Sequence, residues 1–259
     1  LGVLGCMAQK DQKEIFKRIK YVDLVVGPGQ LNRIPALIRQ IELDGRPRIE
    51  VSLGRRDGSR AQIAQSHKSF DPLRDLEIRP TPHQAYVRIM IGCDKFCTYC
   101  IVPSVRGPEQ SRSPQEILAE VRQLAGQGCR EVILLGQTVN SYHHVAGETT
   151  WRLSDLLEAI EGIDGIQRIK FVSNHPSDMT DDLLAAVRDS TKCAKYLHVP
   201  AQHGSNAVLQ RMKRGYTVEE YRAMHAQAAD WIPALAVTSD FIVGFCGETD
   251  EDFEGSERF

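Results

Sequence analysis

The 259-residue chain has no apolar run approaching a bilayer crossing, no low-complexity tract and no internal repeat beyond a strand–helix unit. A helical membrane anchor is therefore not expected. Excess charge of one sign is missing as well. Lys and Arg number 32 against 34 Asp and Glu, a formal net charge of -2. Chain-wide, non-specific attachment to nucleic acid does not follow from such a balance; any RNA contact has to come from a local basic patch or from a segment outside this stretch. No secretory signal is visible, and the pattern of the seven cysteines is not that of a secreted disulfide framework. Their number is odd, the chain is long, and three crowd together, which points to reduced, metal-bound thiols in a cytoplasm.

What is present is a core-forming composition, 42% hydrophobic, enough for one large α/β domain and part of another. Leu1–Leu4 reads as a buried strand ending at Gly5-Cys6, Lys10–Ile19 as one amphipathic helix, Val22–Val26 as a strand, and Pro35 as the first turn of a helix running to about Leu43. This βαβα order implies a small parallel-sheet domain over residues 1–70. Arg55–Ser69 is polar and aperiodic, and Pro72, Pro80 and Pro82 mark a linker, 71–84, into a second domain, 85–259.

The second series is more regular. Strands are expected at Ala85–Ile91, Glu131–Leu135, Arg168–Val172, Tyr196–Pro200 and Ala236–Phe245. Helices are expected after Ser113, at Leu153–Ile160 and Thr180–Val187, and from Thr217 to Trp231. Ser113-Pro-Gln-Glu116 and Thr217-Val-Glu-Glu220 both have the capping-box pattern. Five strands each followed by a helix make a partial (β/α) barrel, whose chemistry lies on the loops after the strands. Gly92-Cys93, Gly136-Gln137, Ser173-Asn174-His175-Pro176, Gln202-His203-Gly204-Ser205 and Gly244-Phe245 all fall there.

Cys93, Cys97 and Cys100 stand in Cys-x3-Cys-x2-Cys spacing. A zinc site would want four tetrahedral ligands, and no second Cys-x2-Cys exists; His198 and His203 sit on another strand end. A ferredoxin would want a fourth cysteine for each cluster. Three thiolates on a [4Fe-4S] cube leave one iron free, and the spacing resembles that of radical S-adenosylmethionine (SAM) enzymes, in which SAM chelates that iron. His143-His144 reads as surface in a polar loop, and Cys129 and Cys193 read as core or helix-end thiols.

Over nearly its whole length the chain resembles the radical-SAM methylthiotransferases, and most closely their tRNA-modifying branch. The matching residues are Gly5-Cys6-Met7-Ala8-Gln9, Val22–Gly27 with Gln30-Leu31, Cys97-Thr-Tyr-Cys-Ile-Val-Pro103 with Arg106-Gly107, and Gly136-Gln-Thr-Val-Asn-Ser-Tyr142. Ser205-Asn206, Met212-Lys-Arg-Gly-Tyr-Thr217, Asp240–Phe245 and Gly247-Glu248 complete the series. Six positions depart from the family pattern: Ser104-Val105, Pro108 with Gln110, His203 and Cys246. They leave the three-cysteine motif untouched and thin the basic stretch beside it.

The resemblance implies an internal piece of a longer enzyme: a partial N-terminal methylthiotransferase domain, then a radical-SAM barrel truncated at its C-terminal end. It implies two cofactors besides SAM. One is the [4Fe-4S] cluster on Cys93, Cys97 and Cys100. The other is an auxiliary [4Fe-4S] cluster of which only Cys6 is present here, so this stretch alone is expected to hold no more than one cluster. The implied reaction adds a methylthio group to the adenine of isopentenyladenosine beside the tRNA anticodon, using a low-potential donor such as flavodoxin or ferredoxin. Other branches modify a ribosomal-protein aspartate or threonylcarbamoyladenosine; a metal-stabilised RNA-binding module is the non-enzymatic alternative. Tyr99 is either an aromatic beside the cluster and the SAM adenine or a packing residue. Gln137, Ser173 and Gln202 are either polar contacts to SAM or ordinary turn residues, and Gly244 either admits the adenine or ends a strand. Arg106, Arg112, Arg211, Lys213 and Arg214 are either phosphate contacts or solvated surface. A monomer in the cytoplasm is expected.

Overall fold

The computed structural model describes residues 1–51 and 81–259. Arg55–Ser69 and most of the expected linker lie outside the described residues. The described chain divides into two compact units. One takes in residues 1–51, Ile91–Asp94 and Cys100–Gln110; the other takes in residues 81–90, Lys95–Tyr99 and Ser111–Phe259.

In the first unit β1 (Gly2–Leu4), β2 (Leu24–Val26) and β3 (Arg48–Glu50) form a parallel sheet in that order, with Val3, Val25 and Ile49 in register. The alternation of β2 sorts its side chains to two faces. Val25 packs with Ala8, Ile15 and Val22, and Leu24 and Val26 pack with Leu37. The first face is covered by α1 (Cys6–Asp11) and α2 (Glu14–Arg18), the second by α3 (Ile34–Asp44), which has Pro35 in its first turn and ends on Gly45 at φ 66°.

Three expectations are corrected here. The single helix Lys10–Ile19 is two, because Gln12 takes φ 46°, closes α1 by donating to Ala8 O, and accepts from Ile15 N to start the next turn. β1 is an edge strand of the described sheet, with Leu1 and Leu4 exposed, and Cys6 opens α1 after a turn at Gly5 instead of ending a strand. β3 went unread because it carries one apolar residue between two charged ones.

The second unit holds β4 (Gln84–Arg88), β7 (Glu131–Leu135), β10 (Arg168–Phe171), β11 (Tyr196–His198) and β12 (Ala236–Thr238). β4, β7 and β10 are parallel neighbours, as are β11 and β12. A parallel bridge from Ile169 to Cys193 and the bonds of Asn174 N and Asn174 Nδ2 to His198 O carry the sequence of strands from β10 to β11. Neighbours in space thus follow chain order, the arrangement of a partial (β/α) barrel. Strand residues such as Val87, Leu134 and Phe171 share one core with helix residues such as Ile117, Leu157 and Val187.

The expected strand Ala85–Ile91 is divided into β4 and a short β5 (Met90–Ile91). Between them Ile89 still donates to Leu135 O and accepts from Arg112 N. The last strand is shorter than expected. After Thr238 the pairing contracts to Gln202 N on Asp240 O and Ile242 N on Gln202 O, because the chain turns at Gln202. His143 and His144 lie in a strand, not a loop: β8 (His143–Ala146) pairs antiparallel with β9 (Thr149–Arg152) around Gly147. Trp151 of that hairpin packs against the barrel core, but no apolar alternation reveals the two strands. The Ser113 capping box does not form, since Ser113 Oγ donates to Gln115 Oε1 at 2.7 Å. The Thr217 box does, with Glu220 N on Thr217 Oγ1 at 3.2 Å and Thr217 N on Glu220 Oε2 at 2.7 Å.

Candidate functional site

The three-cysteine loop leaves β5 through Gly92, which sits at φ 80°. A Cβ there would stand 2.0 Å from Pro108 O and 2.6 Å from Gly107 O, so no other residue fits the turn. Cys93 N donates to Gly107 O at 3.3 Å, and Glu109 N donates to Asp94 Oδ2 at 3.3 Å. The chain coming back from the loop therefore holds its first half. Cys93 is buried and Cys100 half-buried.

Lys95–Tyr99 is held by the barrel. Lys95 pairs with Asp178 at 2.6 Å, on the turn that follows β10. Thr98 N donates to Met212 O, and Thr98 Oγ1 donates to Arg211 O, both at 3.0 Å. Those two carbonyls end the helix Asn206–Met212 and would otherwise lack partners. The helix closes with Lys213 at φ 56°, Lys213 N on Gln210 O and Arg214 N on Leu209 O, then Gly215 at φ 70°. This left-handed stop returns the next side chain, Arg214, to the loop. Arg214 Nη1 donates to Cys97 Sγ at 3.3 Å.

Five hydrogen bonds tie loops and side chains to the carboxyl ends of the strands. Asn140 and His175 bond reciprocally, Asn140 Nδ2 to His175 O and His175 N to Asn140 Oδ1, each at 2.8 Å. Tyr216 OH donates to Ala201 O at 2.7 Å, and Tyr221 OH donates to Val199 O at 2.8 Å. Val139 N donates to Ser173 O. Burial, reinforced by the charges of Arg214 and Lys95, lowers the His175 pKa to about 3, so its ring is neutral. Burial likewise pushes the Tyr99 phenol above its ordinary range, keeping the hydroxyl protonated.

Gln137, Ser173, Gln202 and Gly244 all follow barrel strands on the same side. Ser173 and Gln202 sit at φ 68° and 69°, a region few residues with a Cβ adopt, and Gly244 sits at φ 75°. A Cβ on Gly244 would meet nothing within 4 Å, so its backbone angle, not a close neighbour, calls for glycine.

The five basic residues part company. Arg112 is buried, donating from Nη1 to Glu120 Oε2 at 2.8 Å and to Arg88 O at 2.6 Å. Arg214 is buried beside Cys97. Neither is a solvent-facing phosphate contact, because both side chains are buried inside the fold. Arg211 is partly exposed, bonding Gly247 O at 3.0 Å with Asp252 at 3.5 Å. Lys213 is exposed and Arg106 half-buried. Cys129 and Cys193 are buried, as read from the sequence, and burial drives the Cys193 thiol up to about 12. The role of Arg214 was hidden in the sequence, since only the left-handed turn at Lys213 brings it to a cysteine 117 positions away.

Among the described residues no three His, Cys, Asp or Glu side chains gather as a single metal ion would require. A cubic cluster asks for something else, one thiolate for each of three iron corners. The donor set of Cys93, Cys97 and Cys100 suits it: soft sulfur ligands in one loop, with a guanidinium on one of the sulfurs.

A sequential parallel barrel carrying a three-cysteine loop at its strand ends defines a class of protein. The sequence profile of the Radical SAM superfamily matches residues 87–259, and the chain belongs to that superfamily, whose cofactors are a [4Fe-4S] cluster and SAM. Within it, the chain is 58% identical over 258 residues to the tRNA-2-methylthio-N(6)-dimethylallyladenosine synthase of Rhodopirellula baltica, covering 100% of this chain and 54% of the relative. The synthase of the same name from Anaplasma phagocytophilum is 41% identical, over 98% of this chain and 54% of the relative. The chain thus spans about half the length of the curated relatives it matches. Among solved structures, the cobalamin-dependent S-adenosylmethionine radical enzyme OxsB aligns with 98% of this chain and 38% of its own at a TM-score of 0.65 and 13% identity. The radical S-adenosylmethionine methyltransferase TsrM from Kitasatospora setae aligns with 71% and 34% at 0.55 and 17%. These two likenesses concern the fold alone. Among the described residues, no helix is long and apolar enough to cross a membrane.

Proposed function

We propose that the protein of which this chain is part adds a methylthio group to the adenine of isopentenyladenosine next to the anticodon in tRNA. The observation that carries the reading is the 58% identity over 258 residues, a stretch that takes in the first unit, the cysteine loop and the strand ends. The Gly136–Tyr142 run, which resembles that of the tRNA branch, also supports it. Gly136 has room for no side chain against Met90, Asn140 locks to His175, and Tyr142 OH donates to Arg112 O at 2.7 Å.

Cys93, Cys97 and Cys100 hold the cluster. When bound, the cluster and SAM supply a single-electron cleavage of a carbon–sulfur bond and, from it, abstraction of a hydrogen atom from the substrate. The chain's residues prepare the place. Lys95 and Thr98 fix the Cys97 segment of the loop to the barrel. Gln137, Ser173 and Gln202 offer polar groups to SAM from the strand ends, and Tyr99 presents a neutral aromatic ring beside the loop. Arg106, Arg211 and Lys213 are left as phosphate contacts for tRNA. Cys6 contributes one thiolate to an auxiliary cluster. A low-potential donor of the flavodoxin or ferredoxin class, a monomeric state and a cytoplasmic location complete the reading.

Mass spectrometry of total tRNA from a strain deleted for the gene tests it. Loss of methylthio-isopentenyladenosine, restored by the full-length gene and not by its Cys97→Ala form, is the expected result. Persistence of the nucleoside in the deletion strain overturns the assignment.

A further inference from the structure

Arg214 is only 7% exposed. Its guanidinium donates to three groups: Cys97 Sγ at 3.3 Å, Tyr216 OH at 3.0 Å and Pro200 O at 3.2 Å. It also lies 5.2 Å from the Tyr216 ring centroid. Among the described residues no carboxylate pairs with it. The neighbouring charges are otherwise accounted for, since Lys95 is matched by Asp178 and His175 is neutral. A buried cation without a carboxylate is unfavourable unless some other anion faces it. The group that faces it is the Cys97 sulfur, which supplies the anion once it ligates iron.

We infer that Arg214 is a positioning residue that sets the reduction potential of the cluster through Cys97. The inference rests on the reading of Cys93, Cys97 and Cys100 as the cluster ligands. A [4Fe-4S] core of charge 2+ on three thiolates carries a net charge of -1, and one electron from an external low-potential donor makes it -2. No proton need accompany the electron, because the guanidinium is charged in both states. A fixed positive charge and an N–H bond to a ligand sulfur stabilise the more negative state, and so raise the potential. The turn at Lys213 and Gly215 and the two bonds from Thr98 hold the guanidinium and sulfur together whether or not the electron is present.

The test is a potentiometric titration of the anaerobically reconstituted protein, followed by EPR of the reduced cluster, for wild type, R214K, R214Q and Y216F. Expected for R214Q is a lower midpoint, with about a tenfold smaller reduced-to-oxidised ratio at a given potential, equivalent to ~59 mV for one electron. R214K keeps the charge and loses the fork, so its shift is smaller; Y216F, which frees one arm of the guanidinium, shifts least. An R214Q protein with full iron content and the wild-type midpoint overturns the inference. If R214Q holds no cluster, wild-type midpoints in both R214K and Y216F overturn it equally. Failure of the wild type to take up any cluster is a distinct result, and sinks the assignment of the cysteine loop beneath it.

Discussion

A single methyl group added at Gly92 would strike two carbonyl oxygens at the mouth of the cysteine loop, on a backbone angle that disfavours any side chain. Gly92→Ala is therefore expected to lower the iron bound per chain on reconstitution by more than half. Gly126→Ala, at a helix end with open space around it, leaves iron content unchanged. Iron and sulfide analysis of the two variants checks this. His175 makes a second prediction. Its pKa is near 3 folded and near 6.5 unfolded. Above about pH 6.5 neither state binds the proton and the residue has no pH effect. Between pH 6.5 and 3 the unfolded chain binds a proton that the folded chain refuses, so stability falls with falling pH by roughly 1.4 kcal/mol per unit. Urea unfolding between pH 4 and 7 should show a shallower slope in His175→Gln. The Asn140 bonds survive that change because they use the His175 backbone.

The helices differ in how their ends are satisfied, and their sequences conceal the difference. Thr217→Ala removes a cap that bonds in both directions and is expected to cost about 1 kcal/mol; Ser113→Ala, at a position whose hydroxyl makes no cap bond, costs close to nothing. Denaturant midpoints of the two variants separate them. The same Ser-x-x-Glu and Thr-x-x-Glu spelling was equally readable at both helices. Side-chain direction decided the outcome, and spacing does not encode it. Arg112 belongs to this scale because it joins the Arg88 carbonyl to Glu120 on the helix Pro114–Gly126. Arg112→Met takes the guanidinium away from the buried Glu120 carboxylate and is expected to cost about 3–5 kcal/mol; the double variant R112M/E120L recovers most of it. Recovery in calorimetry would identify a structural ion pair, whatever the charge of Arg112 suggests to a reader of the sequence.

At the scale of the molecule, the parallel order of the barrel was legible because each strand is an apolar run followed by an amphipathic helix. The hairpin His143–Arg152 and the strand Arg48–Glu50 were not, for lack of an apolar alternation: each packs a lone large apolar residue, Trp151 and Ile49, against a core. The strand-end positions of Gln137, Ser173 and Gln202 could be read from where the apolar runs stop. The departure of Arg112 and Arg214 from the basic surface could not, since partners 8 and 117 residues away withdraw them. Within a chain of net charge -2, this leaves Lys213 as an exposed cation near the loop. On the tRNA reading, Lys213→Ala weakens binding and reduces the slope of log affinity against log salt by about 1, measured by filter binding across a salt series. Ser173 and Gln202 have a different consequence. Each holds a left-handed angle at a strain of about 1–3 kcal/mol. A directed-evolution screen scored on heat resistance alone would drift to glycine or asparagine at both, whereas one scored on turnover would retain serine and glutamine. On the proposed SAM contacts of these two residues, the barrel rim is where robustness and activity select in opposite directions.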